Sequence, residues 1–292
     1  MGIYISKNGG VSGTINDFNP FLDEIAISAD GKRLAVTSFR DPIYISSDGG
    51  TSWIESYGTG PQSWNSIASS ADGTKLIAAA GMGGDEHAIF TSSNGGVNWI
   101  KRSVADGPHW WGSVVSSASG AKLALVDVLG PRGKIYTSTD SGVTWNKQVT
   151  LDAAVDGITS SADGKKLAAV TRNNDSADIY TSTDSGVTWN KQATLEMPFP
   201  KQITSSADGS KLAVAGDESI YTSIDSGTSW VKLINFNYAK VKANIKMSQI
   251  VKNDSTLSTV DIGGIILIVS VIVVGILFVI LRQKSRTNAT DE

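Results

Sequence analysis

The sequence predicts an all-β fold, built from a unit of about 44 residues that recurs along the chain. Two interleaved motifs predict it, because each consists of a short apolar segment, a glycine-containing turn and a second segment, which is the pattern of a β-hairpin. A third observation adds one element outside the repeats. Residues 262–281 contain no charged side chain, and an apolar segment of this length predicts a membrane-spanning helix.

The first motif is an Ile-Tyr-Thr-Ser-like strand, an acidic turn with glycine, and a tryptophan. It recurs at 43–53, 89–99, 135–145, 179–189 and 220–230, and a degenerate copy stands at 3–13. Its acidic position is held by Asp48, Asn94, Asp140, Asp184 and Asp225. Its last position is held by Trp53, Trp99, Trp145, Trp189 and Trp230. The copies lie about 41 to 46 residues apart, which is the length of a four-stranded propeller blade.

The second motif is a Ser-Ala-Asp-Gly turn that leads into a Lys-Leu-Ala-Val-like strand. It occurs once between successive copies of the first motif, at 27–36, 69–78, 116–125, 160–169 and 205–214. Each unit therefore holds two hairpins and four strands. Five such units with a half-unit in front predict a β-propeller of about six blades over residues 1–237. A solenoid or a stack of sandwiches is the alternative architecture, and a seventh blade is the alternative count.

The first motif resembles the Asp-box, also called the BNR repeat, which has the form Ser-x-Asp-x-Gly-x-Thr-Trp. Residues 138–145 and 182–189 match it fully, and 46–53 and 223–230 match with Ser in place of Thr. The resemblance covers roughly residues 1–232. On these motifs the chain is similar to the propellers of sialidases, of sortilin-type receptors and of photosystem II assembly factors of the Ycf48 type. The resemblance implies a fold, while one fold hosts many activities.

The motif residues themselves are predicted to be structural. Each carboxylate can accept backbone N–H groups of its own turn, as in an Asx-turn. Each tryptophan can bury a ring of about 150–250 Å² between neighbouring hairpins. A catalytic or metal-binding role is not expected, because every blade carries one such aspartate and a site needs several groups to converge. We therefore predict no catalytic residue, no bound metal and no cofactor.

Composition narrows the range of partners. The 292 residues are 40% hydrophobic, which supplies a sizeable core and excludes wholesale disorder. Lys and Arg number 25 against 28 Asp and Glu, so there is no basic excess to neutralise phosphates, and nucleic acid is not an expected partner. The chain has no cysteine, which removes disulfide frameworks, thiolate metal sites and cysteine nucleophiles together.

A sialidase-like glycosidase is the alternative function that the resemblance raises. Phe39-Arg40-Asp41-Pro42 is close to the Phe/Tyr-Arg-Ile-Pro of sialidases, and Arg40, Arg132 and Arg172 fall in loops expected to share a face. Tyr221, however, occupies the tyrosine position that recurs in the repeated strand, and no glutamate stands out as its base. We therefore expect no enzymatic activity.

The ligand face is predicted from the order of the strands. The two repeated turns join strands one to two and three to four, so they lie together, and the remaining connections, which vary between units, open on the opposite face. The candidate ligand residues there are Tyr57, Trp64, His87, His109, Trp110, Trp111, Arg132, Arg172 and Phe199. Trp110 and His109 are favoured, whereas Trp64 and Trp111 have an equal claim to plug the central channel. The predicted function is a non-enzymatic recognition or assembly module for a protein or a glycan.

The uncharged segment 262–281 predicts a single-pass anchor in a lipid bilayer, about 30 Å long as a helix. Three basic residues follow it directly, so the positive-inside rule places the tail 282–292 in the cytoplasm and the propeller outside, with 238–261 as a juxtamembrane segment. No signal peptide is visible at the start, which favours a truncated N-terminus. The alternative is a tail-anchored chain with a cytosolic propeller.

Overall fold

The computed structural model describes residues 3–6, 12–16, 22–38, 40–81, 87–105, 107–217, 219–235, 260–262, 265–271 and 277–283. These residues form strands and turns only. The chain divides into two compact units, residues 1–5 with 14–236, and residues 6–13 with 237–292. The first unit begins with a hairpin of β1 (Ile3–Ile5) and β2 (Thr14–Asn16), which pair antiparallel.

Five four-stranded sheets follow in the described part of the first unit, and we number them as blades 1 to 5. Blade 1 contains β3 (Leu22–Ile27), β4 (Leu34–Ser38), β5 (Tyr44–Ser46) and β6 (Ile54–Glu55). Blade 2 contains β7 (Trp64–Ser69), β8 (Leu76–Ala80), β9 (Ile89–Ser92) and β10 (Ile100–Arg102). Blade 3 contains β11 (Trp111–Ser116), β12 (Leu123–Asp127), β13 (Lys134–Ser138) and β14 (Asn146–Thr150). Blade 4 contains β15 (Ala154–Ser160), β16 (Leu167–Asn173), β17 (Ser176–Ser182) and β18 (Asn190–Leu195). Blade 5 contains β19 (Pro200–Ser205), β20 (Leu212–Gly216), β21 (Ser219–Ser223) and β22 (Val231–Asn235).

Within each blade the strands pair antiparallel in chain order, which confirms the predicted all-β fold with five complete four-stranded units. The second strand is buried along its whole length in blades 1 to 3, as β4, β8 and β12 show. Successive side chains of β8 enter different interfaces, since Ala78 packs between blades 1 and 2 while Ile77 packs between blades 2 and 3. A strand that is covered on both faces has to be apolar along its whole length.

Hydrophobic clusters fill the interfaces between successive blades, one cluster for each interface. Trp64 and Phe90 meet edge to face between blades 1 and 2, with ring centroids 5.6 Å apart. Leu125 and Tyr136 are buried between blades 2 and 3. The core of this propeller is therefore distributed over the blade interfaces.

The Ala-Asp-Gly turns link the blades to one another through their backbones. The N–H of Ala29 donates to the carbonyl of Ala71 at 2.7 Å, and Ala71 donates in turn to Ala118 at 2.8 Å. Ala118 donates to Ala162 at 2.7 Å, and Ala162 donates to Ala207 at 2.7 Å. Each turn of the second motif thus carries one hydrogen bond to the next blade, and the series runs from blade 1 to blade 5.

The N-terminal hairpin takes the position of an outer half-blade. The side chain of Ile5 in β1 packs over Gly50 in the turn of blade 1. Ile45, in the third strand of blade 1, packs in the same way over Gly96 in blade 2. β1 is therefore the third strand of a blade that precedes blade 1, as the degenerate copy of the motif predicts.

The described C-terminal residues form a three-stranded antiparallel sheet of β23 (Val260–Ile262), β24 (Ile265–Val271) and β25 (Leu277–Gln283). Within 262–281, where the sequence predicts a helix, the described residues 265–271 and 277–281 thus lie in strands, and none of the described residues belongs to a helix that could cross a membrane. Twelve of those twenty residues are Ile or Val, whose β-branched side chains favour strands. The predicted tail beyond 283 and the segment 236–259 lie outside the described residues.

Candidate functional site

The turns of the first motif, which we call the box turns (46–53, 92–99, 138–145, 182–189 and 223–230), are held by their own side chains. In blade 3 the Ser138 hydroxyl donates to Asp140 Oδ1 at 2.8 Å and accepts the N–H of Gly142 at 2.9 Å. Asp140 also accepts the hydroxyl of Thr144 at 2.6 Å and its N–H at 2.9 Å. These bonds lower the pKa of Asp140 to about 2. The indole N–H of Trp145 closes the turn on the Gly142 carbonyl at 3.1 Å.

The box turns of blades 1, 4 and 5 repeat this arrangement, whereas in blade 2 the indole N–H of Trp99 has no hydrogen-bond partner among the described residues. Hydrogen bonds from the hydroxyl four positions further on lower the pKa of Asp48, Asp184 and Asp225 to about 2 as well. In blade 2 the amide of Asn94 replaces the carboxylate and accepts from the backbone N–H of Asn98 at 3.0 Å. All five acidic or amide side chains are engaged inside their own turns.

The box turns and the Ala-Asp-Gly turns lie side by side. Within blade 1 the N–H of Gly49 donates to the carbonyl of Lys32 at 2.8 Å, and within blade 2 Gly95 donates to Thr74 at 2.7 Å. We call this side of the propeller the box face. The loop face consists of the described connections at the opposite strand ends, which are 40–43, 59–63, 81, 87–88, 103–105, 107–110, 128–133, 151–153, 174–175, 196–199 and 217.

Trp110 and His87 form the aromatic contact of the loop face between blades 2 and 3. Trp110 is 44% exposed, and its indole N–H donates to His87 Nε2 at 3.0 Å. His87 Nδ1 lies 3.1 Å from the carbonyl of Gly81. Because an indole nitrogen can only donate, His87 Nε2 is the acceptor and Nδ1 carries the proton. In this arrangement His87 is neutral, and both of its ring nitrogens are engaged.

His109 lies below this contact and is 5% exposed. Its Nδ1 is 3.0 Å from Asp127 Oδ2, and its ring stacks on Trp111 at 4.3 Å between centroids. Burial raises the pKa of Asp127, but hydrogen bonds from His109, Lys134 and backbone N–H groups, including that of Trp110, outweigh burial and lower it. Asp127 is the residue at the centre of this network that the sequence did not single out. Its only signal is a carboxylate at the end of an otherwise apolar strand.

The structure separates the remaining aromatic candidates. Trp64 and Trp111 are buried in the blade interfaces, and the indole N–H of Trp64 donates to the carbonyl of Asp41 at 2.9 Å. Tyr57 is exposed, but it pairs with Asn98 through a β-bridge, so it lies beside the box turn of blade 2. Only Trp110 and Phe199 among the aromatic candidates combine an exposed ring with a place on the loop face.

The charged candidates are each paired. Arg132 lies 3.6 Å from Asp152, and both side chains are exposed. Arg172 lies 2.9 Å from Asp156. The Tyr221 hydroxyl, which a sialidase-like mechanism would need as a nucleophile, donates to the carbonyl of Glu196 at 3.0 Å. In the part of the chain that the structure describes, no group of three His, Asp or Glu side chains is arranged to hold a metal ion.

Solved structures that resemble this chain share its fold. An ancestral GH74 enzyme matches with a TM-score of 0.62 and 20% identity, over 80% of this chain and 35% of that one. The chain is a β-propeller. A nidogen/laminin complex matches with a TM-score of 0.58 and 16% identity, over 76% and 84% of the two chains. Ycf48 bound to a D1 peptide matches with a TM-score of 0.43 and 14% identity, over 74% and 86%. This propeller therefore spans about a third of the GH74 enzyme. No protein-family model and no curated protein matches the sequence.

Proposed function

We propose that this chain is a non-enzymatic, membrane-anchored recognition or assembly module that binds a protein or a glycan through its loop face. One observation carries the proposal, namely that Trp110 is an exposed aromatic side chain held in a single orientation. Its N–H donates to Asp127 at 3.0 Å, its carbonyl accepts the N–H of Val128 at 2.7 Å, and its indole donates to His87. Rigid aromatic side chains dominate binding interfaces, because little entropy is lost when they are covered.

The distribution of charge supports local contacts as the source of affinity. Residues 1–261 contain 22 Lys and Arg against 26 Asp and Glu, a net charge of −4. Long-range attraction to an anionic surface is therefore not expected. The anchoring aromatic residues Trp110 and Phe199 stand on connections that differ from blade to blade, where binding residues usually lie.

Binding is tested by photo-crosslinking of the full chain in its source membranes. Replacing Trp110 by Ala should weaken capture of a specific partner at least about tenfold, since a central aromatic anchor is lost. Tyr57→Ala is the matched control, because it removes an exposed aromatic ring beside the box turn of blade 2. Equal capture by both variants, or a footprint on the box face at Ser141 or Ser185, would contradict the assignment of the loop face.

Membrane anchorage is proposed from the sequence of residues 262–281, which has no charge and precedes Arg282, Lys284 and Arg286. Deleting residues 262–292 should release the protein from carbonate-washed membranes, and a deletion variant that stays in the pellet would contradict anchorage. Protease added to intact cells should digest the propeller if it is extracytoplasmic. Full protection of the propeller would support the tail-anchored orientation instead.

The glycosidase alternative is the less favoured function. Arg132 and Arg172 are paired with carboxylates, and the Tyr221 hydroxyl is bonded to a backbone carbonyl, so three of the groups that the alternative needs are engaged elsewhere. We expect no release of a fluorogenic leaving group from sialosides or other glycosides. Release that disappears in an Arg40→Ala variant would overturn the non-enzymatic proposal.

A further inference from the structure

Trp110 is held at two points, one on its backbone and one on its ring. Its backbone N–H donates to Asp127 Oδ1 at 3.0 Å, and its carbonyl accepts the N–H of Val128 at 2.7 Å. Its indole N–H donates to His87 Nε2 at 3.0 Å. Because the indole nitrogen is the only polar atom of a tryptophan side chain, this bond is the polar contact that fixes the direction of the exposed ring.

The bond requires His87 to be neutral. An indole nitrogen can only donate, so it needs an imidazole nitrogen with a free lone pair. His87 supplies that lone pair at Nε2, while Nδ1 lies 3.1 Å from the carbonyl of Gly81 and carries the ring proton. A second proton can therefore enter only at Nε2. Two N–H groups would then point at each other, and the hydrogen bond to Trp110 would be lost.

The surroundings of His87 allow a second proton to reach the ring. Imidazole is the side chain whose charge ordinarily changes between about pH 5 and pH 8. His87 is half-buried, so part of the ring contacts solvent. Among the described residues, the partners of its two ring nitrogens are a backbone carbonyl and an indole, and neither of them carries a charge. The protonation of His87 is therefore coupled directly to the orientation of Trp110.

Three charged or titratable groups lie next to the backbone of Trp110. His109 Nδ1 and Lys134 Nζ each lie 3.0 Å from Asp127 Oδ2, and this carboxylate also holds the N–H of Trp110. Burial raises the pKa of Asp127 less than its hydrogen bonds lower it, so Asp127 stays ionised above pH 5. The backbone of Trp110 thus keeps its hydrogen bond when His87 is protonated.

Other acidic groups belong to the neighbouring elements. Glu24 of blade 1 titrates in the same range of pH, because burial raises its pKa to about 7, and it is bonded to the N–H of Ile67 in blade 2. Three acidic residues of the connections that carry His87 and Trp110 lie outside the described residues, namely Asp85, Glu86 and Asp106. A test of His87 therefore needs a variant that removes its titration alone.

We infer that His87 is a pH switch for Trp110: the neutral imidazole fixes the indole in its binding orientation, and the protonated imidazole releases it. The inference rests on the proposed function in that Trp110 is the anchoring residue of the loop face. One proton from solvent adds to His87 Nε2, and the N–H···N hydrogen bond is the bond that breaks. A released ring has to be ordered again when a partner covers it, which costs affinity. Binding through Trp110 is therefore strong near pH 8 and weaker near pH 5.

The inference is tested by NMR of the full chain in detergent, with isotope-labelled indole nitrogens. The Trp110 signal, assigned as the one that a Trp110→Phe variant lacks, should move with a single midpoint as the pH is lowered from about 8 to about 5. Trp145 and Trp189 are internal references, because their indole N–H groups donate to the carbonyls of Gly142 and Gly186 at 3.1 and 2.8 Å. Their signals should stay in place over this range.

His87→Gln is the matched variant, since an amide oxygen can accept from the indole at every pH and does not titrate. The Trp110 signal of this variant should stay in place between about pH 8 and pH 5. A Trp110 signal that does not move in the original chain would overturn the inference. A signal that moves equally in His87→Gln would overturn it as well, and would assign the titration to another group such as Glu24 or His109.

Partner capture by photo-crosslinking gives the second readout. Capture should fall at least about threefold from pH 8 to pH 5 in the original chain, and should change by less than about 1.5-fold in His87→Gln. Capture that depends on Trp110 but is equal at both pH values would overturn the control of binding by His87. Capture that does not depend on Trp110, together with a Trp110 signal that titrates, would refute the proposed function and leave the release of Trp110 standing.

Discussion

The box face and the loop face are the two ends of the same strands, yet they differ in how their side chains are hydrogen-bonded and exposed. The box face repeats one pattern of hydrogen bonds in blades 1, 3, 4 and 5 and a reduced form of it in blade 2, with each Asp or Asn side chain engaged inside its own turn. On the loop face, Trp110 is exposed between blades 2 and 3. Between blades 4 and 5 the Asp156 carboxylate accepts a hydrogen bond from Arg172 through Oδ1, while its buried Oδ2 has no hydrogen-bond partner among the described residues. The repeated turns therefore hold the geometry of each blade, while the connections at the opposite strand ends are free to differ from blade to blade.

Replacing a tryptophan on each face should change the free energy of unfolding by very different amounts, and this is the largest effect that we expect. Trp99 ends the box turn of blade 2 and is buried in the interface between blades 1 and 2. Trp99→Ala should lower the free energy of unfolding by about 3–5 kcal/mol, as truncation of a buried aromatic residue does. Trp110→Ala, on the loop face, should change it by less than about 0.5 kcal/mol. Urea unfolding followed by circular dichroism measures both values, and equal losses would show that the two tryptophans contribute alike to stability.

The two faces should also differ in how their carboxyl groups make the stability depend on pH. Glu24 lies near the loop-face end of β3, and its Oε2 accepts the N–H of Ile67 in blade 2 at 2.6 Å. Burial raises the pKa of Glu24 from 4.5 to about 7, against the lowering effect of its hydrogen bonds to Ile67 and Ser66. The folded chain therefore holds a proton that the unfolded chain releases, and stability falls as pH rises from 4.5 to about 7. The loss amounts to about 3 kcal/mol at most.

Glu24→Gln should remove this loss, because a neutral amide keeps an acceptor for Ile67 at every pH. Thermal melting between pH 4 and pH 8 checks the prediction, with the exposed Glu55→Gln as a control that keeps the slope. The box aspartates affect stability in the opposite direction. Their pKa is lowered from 3.8 to about 2, so the stability that they contribute is lost as the pH falls below 3.8. A Glu24→Gln variant with the slope of the original chain would contradict the account.

A smaller effect is expected within the box face, where one Ala-Asp-Gly turn lacks its aspartate. Ser119 occupies the acidic position of the Ala-Asp-Gly turn in blade 3, where it meets Ser117 at 3.3 Å. In blade 4 the corresponding Ser161 donates to Asp163 at 2.6 Å. Ser119→Asp should form that stronger bond and raise the free energy of unfolding by less than about 1 kcal/mol. Unfolding midpoints in urea check it, and a lowered midpoint would show that blade 3 is not equivalent to its neighbours.

The fold was predictable because its signal is local and repeated. The side-chain hydrogen bonds of Asp140 and Trp145 all lie within residues 138–145, so the sequence pattern contains these interactions whole. The segment 262–281 differs, since an uncharged run of Ile and Val is compatible with a membrane helix and with strands. Length and charge alone do not distinguish the two.

The candidate site was predictable only in part, because its contacts join distant residues. His109 is buried by pairing with Asp127, 18 residues later, and nothing near His109 in sequence indicates that partner. The surroundings of Asp156 are set by the β-bulge between Val155 and Gly157, by Arg172, and by Lys201 of the next blade. Trp110, by contrast, was recognisable as an exposed aromatic residue in a variable connection.

The series of alanine hydrogen bonds from blade 1 to blade 5 has a consequence for how the molecule melts and how it evolves. Each bond couples a blade only to its immediate neighbour, as links couple in a chain. Nearest-neighbour coupling makes cooperativity depend on unbroken succession. A substitution such as Ala118→Pro, which removes the donor of the bond between blades 3 and 4, should weaken the coupling of these blades and broaden the melting transition. Since every link is alike, duplication or loss of a whole blade leaves the remaining links intact, and the number of blades can drift while each blade stays the same.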